Sequence, residues 1–132
     1  MMTKRVLIAD DYDDTRRMMR YMLETRGYEA IEAADGIDAV EKAHKYHPDM
    51  ILMDIAMPML DGLKATEAIR QFDDDPDIPI VALTAYDDFY EERALAAGCN
   101  EVIGKPFEFE ELEETLDYYL NDRLPDEHIR GH

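Results

Sequence analysis

Short apolar runs alternate along this chain with segments whose apolar residues recur at helical spacing. The runs VLIA at 6–9 and MILM at 50–53 are apolar throughout, which is typical of strands buried on both faces of a parallel sheet. Parallel neighbours need long crossover connections, and the helical segments between the runs can supply them. The alternation therefore predicts an α/β fold, with a doubly wound, five-stranded parallel sheet and helices on both of its faces.

The predicted elements fill most of the chain in strict order. Strands are expected at about 5–9, 29–34, 50–53, 78–83 and 101–104, and helices at about 12–26, 35–46, 63–72, 87–97 and 109–121. Gly27, Pro48 and Gly98 stand where helices are expected to end. One domain is predicted over residues 1–121, followed by a tail at 122–132 that we expect to be flexible.

Charge limits the partners that this chain can have. The 132 residues carry a formal net charge of −18, which phosphate backbones and anionic membranes repel, so we expect neither nucleic acid nor membrane as a direct partner. The acidity either keeps the protein in solution or suits a divalent cation or a basic partner.

The sequence also bears on the compartment of the protein. The single cysteine excludes an internal disulfide, and no apolar run is long enough to cross a membrane. The interpretation is a cytoplasmic protein.

Polar residues that can carry chemistry stand where the predicted strands end. In chain order they are Asp10, Asp11, Asp54, Thr84 and Lys105. In an open parallel sheet these ends share one edge, and ligands bind there. Taken singly, the acids and Thr84 could cap helices or turns, and Lys105 could be a surface charge. Together, three carboxylates repel one another unless a cation joins them, and Mg²⁺ suits an all-oxygen site that meets a phosphate.

The same residues lie within five short motifs. They are ADD at 9–11, MDIAMP at 53–58 with DG at 61–62, LTA at 83–85, AG at 97–98 and KPF at 105–107. With these motifs the chain resembles the receiver domain of two-component response regulators over about residues 4–121. The resemblance implies a flavodoxin-like (βα)5 fold with strand order 2-1-3-4-5. It also implies a phosphoacceptor signalling domain, and not an enzyme that turns over a substrate.

The resemblance implies a role for the residues at the strand ends. Asp54 would be the phosphoacceptor, attacking the phosphohistidine of a sensor histidine kinase or of a histidine phosphotransfer protein. Asp11, Asp54 and the backbone carbonyl of Ala56 would ligate Mg²⁺, and Asp10 would act through an intervening water. Lys105 would contact the phosphoryl group.

One departure from the family pattern concerns signalling, and two further positions bear on the lifetime of the phosphoryl group. Thr84 would transmit the presence of the phosphoryl group, and the family couples it to an aromatic residue three positions before the lysine. Here that position is Val102, which has no ring to swing between buried and exposed positions. The family also tunes dephosphorylation two residues beyond Asp54 and two beyond Thr84. Ala56 and Tyr86 stand there and offer no acid or amide to orient water, so the resemblance predicts a long-lived phosphoryl group.

Three functions are open from the sequence. The leading hypothesis is a stand-alone receiver, a monomer or weak dimer that signals or relays through contacts with an unknown downstream protein. The second is a receiver module excised from a multidomain regulator or hybrid kinase. The third, of another class, is a Mg²⁺-dependent phosphatase with an aspartyl nucleophile. Haloacid-dehalogenase-like enzymes of that class need an acid two residues after the nucleophile, and Ala56 at that place argues against turnover.

The methionines bear on partner binding. Met18, Met19 and Met22 recur at helical spacing and are predicted to face the core, with an adaptable docking surface as the alternative. Met57 and Met59 flank the proline in the loop after the third strand. They are predicted to form part of the surface that meets a partner.

Overall fold

A computed structural model describes residues 3–57, 59–71, 77–85 and 88–121, except for the side chains of 88 and 89. Over these residues strands and helices alternate. The strands are β1 (Arg5–Ala9), β2 (Glu29–Ala33), β3 (Met50–Asp54), β4 (Ile80–Thr84) and β5 (Glu101–Gly104). The helices are α1 (Asp13–Thr25), α2 (Gly36–Tyr46), α3 (Gly62–Arg70), α4 (Asp88–Ala97) and α5 (Phe109–Leu120). The predicted tail at 122–132 lies outside the described residues.

All five strands pair in parallel, in the order β2-β1-β3-β4-β5. The chain leaves β1 for the outer strand β2 and then returns to the other side of β1, so the order reverses between β1 and β3. Sheets of this kind bind ligands beyond the carboxyl ends of the strands at such a reversal. The predicted fold, a doubly wound five-stranded parallel sheet in this strand order, is confirmed.

Helices cover the sheet on both faces, because alternate residues of each strand point to opposite sides. Under α2, α3 and α4 the core includes Leu7, Ile51, Met53, Ala65 and Ala94. Under α1 and α5 it includes Val6, Ile8, Leu52, Leu23 and Leu116. The central strands are buried on both sides, which explains why their sequences are apolar throughout. Within the described ranges, no helix combines the length and apolar character that crossing a bilayer requires.

The fourth strand begins later than predicted. Ile78 is buried, but β4 starts at Ile80, which pairs with Ile51. Pro79 has no N–H to donate to the sheet, although its carbonyl accepts a bond of 2.9 Å from the backbone N–H of Ile51. Pairing in which the strand both donates and accepts hydrogen bonds therefore begins only after Pro79. In sheets, proline is found mainly at the start of a strand or on an edge strand. The third helix ends at Arg70, with Gln71 as its C-cap, so its predicted continuation is wrong at Gln71; Phe72 lies outside the described residues.

The methionine predictions are only partly confirmed. Met19 and Met22, three residues apart on one face of α1, are buried against the sheet. Met18 is 53% exposed, so the core prediction is wrong for it; it lies about 100° away from Met19 around the helix. Met57 is only 8% exposed and belongs to the core under α2, α3 and α4, so its predicted place on a partner surface is wrong. Met59 is 76% exposed.

Candidate functional site

The loop after β1 places two aspartates at the edge of the sheet. Asp10 is fully buried, and its Oδ1 accepts a 2.8 Å bond from the backbone N–H of Tyr12. This bond between a side chain and the backbone two residues later turns the chain from β1 into α1. Asp11 is exposed. The first strand thus delivers one buried and one open carboxylate side by side.

Asp54 is the last residue of β3 and is only 6% exposed. Its Oδ1 accepts a 3.2 Å bond from the backbone N–H of Ala56. One carboxylate oxygen from each of Asp10, Asp11 and Asp54 lies within 4.8 Å of the other two. The fold therefore brings together the three acids that the sequence placed at the ends of two separate strands, β1 and β3.

The start of α3 packs directly on the backbone that carries Asp54. A Cβ atom on Gly62 would lie 2.2 Å from the carbonyl oxygen of Asp54, so only glycine allows this approach. The N–H of Gly62 donates to the carbonyl of Ile55 at 2.9 Å. One residue earlier, the carboxylate of Asp61 caps the helix by accepting from the backbone N–H of Lys64 at 2.9 Å. The loop after β3 thus returns against its own strand.

Lys105 supplies a positive charge to the acidic cluster. It follows β5, its backbone N–H donates to the carbonyl of Thr84 at 2.7 Å, and its peptide bond to Pro106 is cis. Its Nζ lies 3.3 Å from Oδ2 of Asp10 and 3.4 Å from Oδ2 of Asp54. The single positive charge of Lys105 offsets only part of the negative charge of the three carboxylates, so the cluster keeps an excess of negative charge.

The surroundings raise the pKa of Asp54 from 3.8 to about 6. Burial is the largest cause, because it disfavours the charged carboxylate; the attraction of Lys105 opposes the rise, and the negative charge of Asp10 adds to it. A divalent cation would offset the negative charge of the three carboxylates, which Lys105 offsets only in part. The donors are all oxygen atoms, which suit Mg²⁺ better than a softer metal. The residues at this edge therefore fit a magnesium ion.

Thr84 ends β4 on the strand next to Asp54 and is 2% exposed. Beside it lies a cavity of about 240 Å³, whose lining includes Ala56, Asp61, Tyr90 and Arg93. The sequence interpretation missed Tyr90 and Arg93, because nothing in the pattern of α4 tells which of its residues meet a neighbouring strand end. Val102 is partly buried in the core that α4 covers, where its side chain packs as an ordinary apolar group.

A parallel sheet in this strand order, with paired aspartates, a third aspartate and a lysine at its carboxyl edge, places the protein in the CheY-like class of flavodoxin folds. The chain belongs to the response regulator receiver domain family, whose family model matches residues 6–117. It is therefore a signal-transduction domain of the two-component type, as the resemblance implied.

Relatives of known name agree with this family. The polar-differentiation response regulator DivK of Brucella ovis is 37% identical over 122 residues, which cover 92% of this chain and 99% of DivK. The chemotaxis protein CheY4 of Vibrio cholerae superposes with a TM-score of 0.85 at 33% identity, covering 90% of this chain and all of that one.

A second solved structure bears on the metal. It is the receiver domain of a sensor histidine kinase from Pseudomonas aeruginosa PAO1, with a TM-score of 0.85 and 36% identity over 91% of this chain and 99% of that chain. That structure has a magnesium ion coordinated in its active site cleft. The acidic cluster described above is of the kind in which receiver domains bind Mg²⁺.

Proposed function

We propose that this protein is a stand-alone receiver that accepts a phosphoryl group on Asp54 with the help of Mg²⁺. The observation that carries the proposal is the juxtaposition at the sheet edge. Oxygen atoms of Asp10, Asp11 and Asp54 lie within 4.8 Å of one another, and Nζ of Lys105 is 3.4 Å from Asp54. A buried carboxylate beside one ammonium group and two further acids suits phosphoryl transfer, which depends on positioning and charge neutralisation.

In the proposed transfer, an oxygen of Asp54 attacks the phosphorus of a phosphohistidine on a sensor histidine kinase or a histidine phosphotransfer protein. The O–P bond forms as the P–N bond breaks, and the bonding electrons leave with the imidazole nitrogen, which takes up a proton. Lys105 stands where it can contact the transferred group. Mg²⁺, when bound, neutralises charge on the phosphoryl oxygens. Asp11, Asp54 and the carbonyl of Ala56 would hold the ion, with Asp10 acting through water.

Signalling would begin when Thr84 moves toward the phosphoryl group on Asp54. Its burial at the end of β4, beside a cavity that α4 also lines, supports a path from the phosphoryl group to the surface of α4. Val102 supplies no ring for that path. The proposed output is contact with a downstream protein in the cytoplasm, made by a monomer or weak dimer.

Incubation with Mg²⁺ and a small-molecule phosphodonor, followed by intact mass measurement, tests the proposal. Wild-type protein should gain the mass of one phosphoryl group, and Asp54→Asn should gain none. Asp61→Asn is the matched control, because Asp61 lies in the same loop but caps α3 outside the acidic cluster. An adduct that persists in Asp54→Asn, or no adduct with any donor, would overturn the site assignment.

The two forms of a receiver remain distinguishable by gene context. The match to 99% of the length of DivK supports the stand-alone form. The likeness to a receiver domain of a sensor histidine kinase shows the kind of larger protein from which an excised module would come. The phosphatase alternative has no support from the relatives, and Ala56 lacks the carboxylic acid that turnover requires.

A further inference from the structure

The loop that carries Asp10 and Asp11 is held by a residue outside the acidic cluster. We infer that Arg16 is a positioning residue for the cation site, an inference that rests on the proposed function. Nη1 of Arg16 donates to the backbone carbonyl of Asp10 at 2.7 Å. Nη2 donates to Oδ1 of Asp13 at 2.7 Å, and Nε donates to Oε1 of Glu32 at 2.9 Å.

These bonds fix the guanidinium from three directions. Its partners are the loop residue that directly follows β1, the first residue of α1, and Glu32 on the neighbouring strand β2. The side chain of Arg16 is only 12% exposed, and that of Glu32 is 23% exposed. A guanidinium is a rigid planar fork, so anchoring two of its nitrogens to carboxylates sets the direction of the third. The Asp10 carbonyl is therefore held in place by a preorganised donor.

The held carbonyl belongs to the peptide bond between Asp10 and Asp11. Turning that peptide would move the Asp11 carboxylate, which is exposed, and would pull Asp10 away from its bonds with Tyr12 and Lys105. Arg16 thus acts on the geometry of two carboxylates without touching either of them. Groups that orient the ligands of a metal commonly affect its affinity by about 10- to 100-fold.

Charge alone predicts the opposite effect, which makes the inference testable by sign. A positive side chain near a cation site weakens cation binding, so its removal should strengthen binding if electrostatics were the only contribution. If Arg16 positions the loop, its removal should weaken Mg²⁺ binding instead. Arg16→Lys separates the two effects further, since it keeps the charge and loses the fork.

Arg20 provides the matched control. It lies one turn later on α1, its side chain is 48% exposed, and it shares Glu32 with Arg16 through a 2.6 Å bond. Its other ion pair is with Glu24. Arg20→Gln removes the same charge from the same network while leaving the bond to the Asp10 carbonyl in place.

The experiment measures the Mg²⁺ dissociation constant by calorimetric titration and, in metal-free protein, amide hydrogen exchange at Asp11 and Tyr12. Arg16→Gln and Arg16→Lys should bind Mg²⁺ about tenfold more weakly than wild type and exchange these amides faster. Arg20→Gln should bind as wild type or slightly more tightly. If Arg16→Gln does not fold, the Mg²⁺ affinity and amide exchange of Arg16→Lys test the inference.

Failure of this inference and failure of the proposed function give different results. Wild-type protein that binds Mg²⁺ while the Arg16 variants bind it equally well or better overturns the positioning role and leaves the proposed function intact. Wild-type protein that binds no Mg²⁺ overturns the proposed cation site. In that case amide exchange still tests the role of Arg16. If the Arg16 variants exchange the amides of Asp11 and Tyr12 at the wild-type rate, Arg16 does not hold the loop.

Discussion

Asp54 meets two opposing demands at the scale of a single residue. A carboxylate that attacks phosphorus must be ionised, yet burial at the end of β3 favours its protonated form. Lys105, 3.4 Å away, compensates the charge only in part, and the pKa of Asp54 stands at about 6. The residue is therefore ionised at pH 7 at a cost to the metal-free fold. This is the usual opposition between an active group and stability.

Asp54→Asn is expected to stabilise the metal-free protein at pH 7. The folded-state pKa is raised from 3.8 to about 6, so the favourable contribution of this carboxyl is complete below about pH 4 and is lost as the pH rises through 6. A shift of this size corresponds to at most about 3 kcal/mol, and we expect a gain of about 1–2 kcal/mol in the free energy of unfolding.

Urea unfolding in the presence of a chelator measures this gain. The difference between Asp54→Asn and wild type should shrink between pH 7 and pH 4, because the wild-type carboxyl takes up its proton in that interval. A variant less stable than wild type at pH 7 would show that Lys105 compensates the buried charge fully.

Ala56→Asn is expected to shorten the life of the phosphoryl group. The wild-type side chain at this position is a methyl group, which cannot orient an attacking water, and an amide there could do so. We expect about tenfold faster loss, less than a positioned general base contributes. The measurement is the decay of the phosphorylated mass after removal of the phosphodonor. A wild-type half-life of seconds would contradict the expectation; Tyr86, the other tuning position, lies outside the described residues.

At the scale of elements, the strand ends are precise because neighbouring elements hold them. The start of α3 packs on the carbonyl of Asp54, and β5 is tied to β4 by the bond from the Lys105 N–H to the Thr84 carbonyl. Through these contacts the backbone of Asp54, Thr84 and Lys105 is bound to a neighbouring element. The side chains of these residues are therefore held in place at the site. Rigid elements place functional groups more accurately than free loops do.

Gly62→Ala tests the packing of α3 on β3. The added Cβ would lie 2.2 Å from the Asp54 carbonyl oxygen, and because that atom is backbone, the helix must shift. We expect the free energy of unfolding to fall by about 3 kcal/mol, at the upper end of overpacking effects. Gly104→Ala is the matched control, since its Cβ would meet nothing within 4 Å.

Urea unfolding of both glycine variants provides the comparison. The Gly104 variant should differ from wild type by no more than about 0.5 kcal/mol, as surface substitutions commonly do. Equal stabilities for the two variants would mean that α3 can move away from β3 at little cost, and that the close approach does not hold Asp54.

At the scale of the whole molecule, the sheet topology makes the site. Lys105 and Asp10 are 95 positions apart in the chain, yet their side chains lie 3.3 Å apart because β1, β3, β4 and β5 are neighbours in one parallel sheet. The net charge of −18 adds a negative field around the domain, which favours the approach of cations and of basic partner surfaces. Neither property belongs to any single segment.

The strands, the helices and the acids at the strand ends could be predicted from the sequence. Periodicity identifies a buried strand, and Asp54 was visible as the polar residue that ends one. The start of β4 was predicted two residues too early, although Pro79, which cannot donate to a sheet, stands between the predicted start and the observed one. The strand order, however, followed from the family resemblance, because apolar runs do not state which of them are neighbours.

Local pattern determined which residues could carry the chemistry, and the tertiary structure decided which of them meet. The hydrogen bonds of Arg16, the burial of Met57 and the cavity between Thr84 and α4 depend on contacts between different elements. Met18 shows the same limit within one helix, since its apolar character did not reveal that it lies outside the buried face. Periodicity describes one element at a time, whereas burial and bonding are settled only when elements pack together.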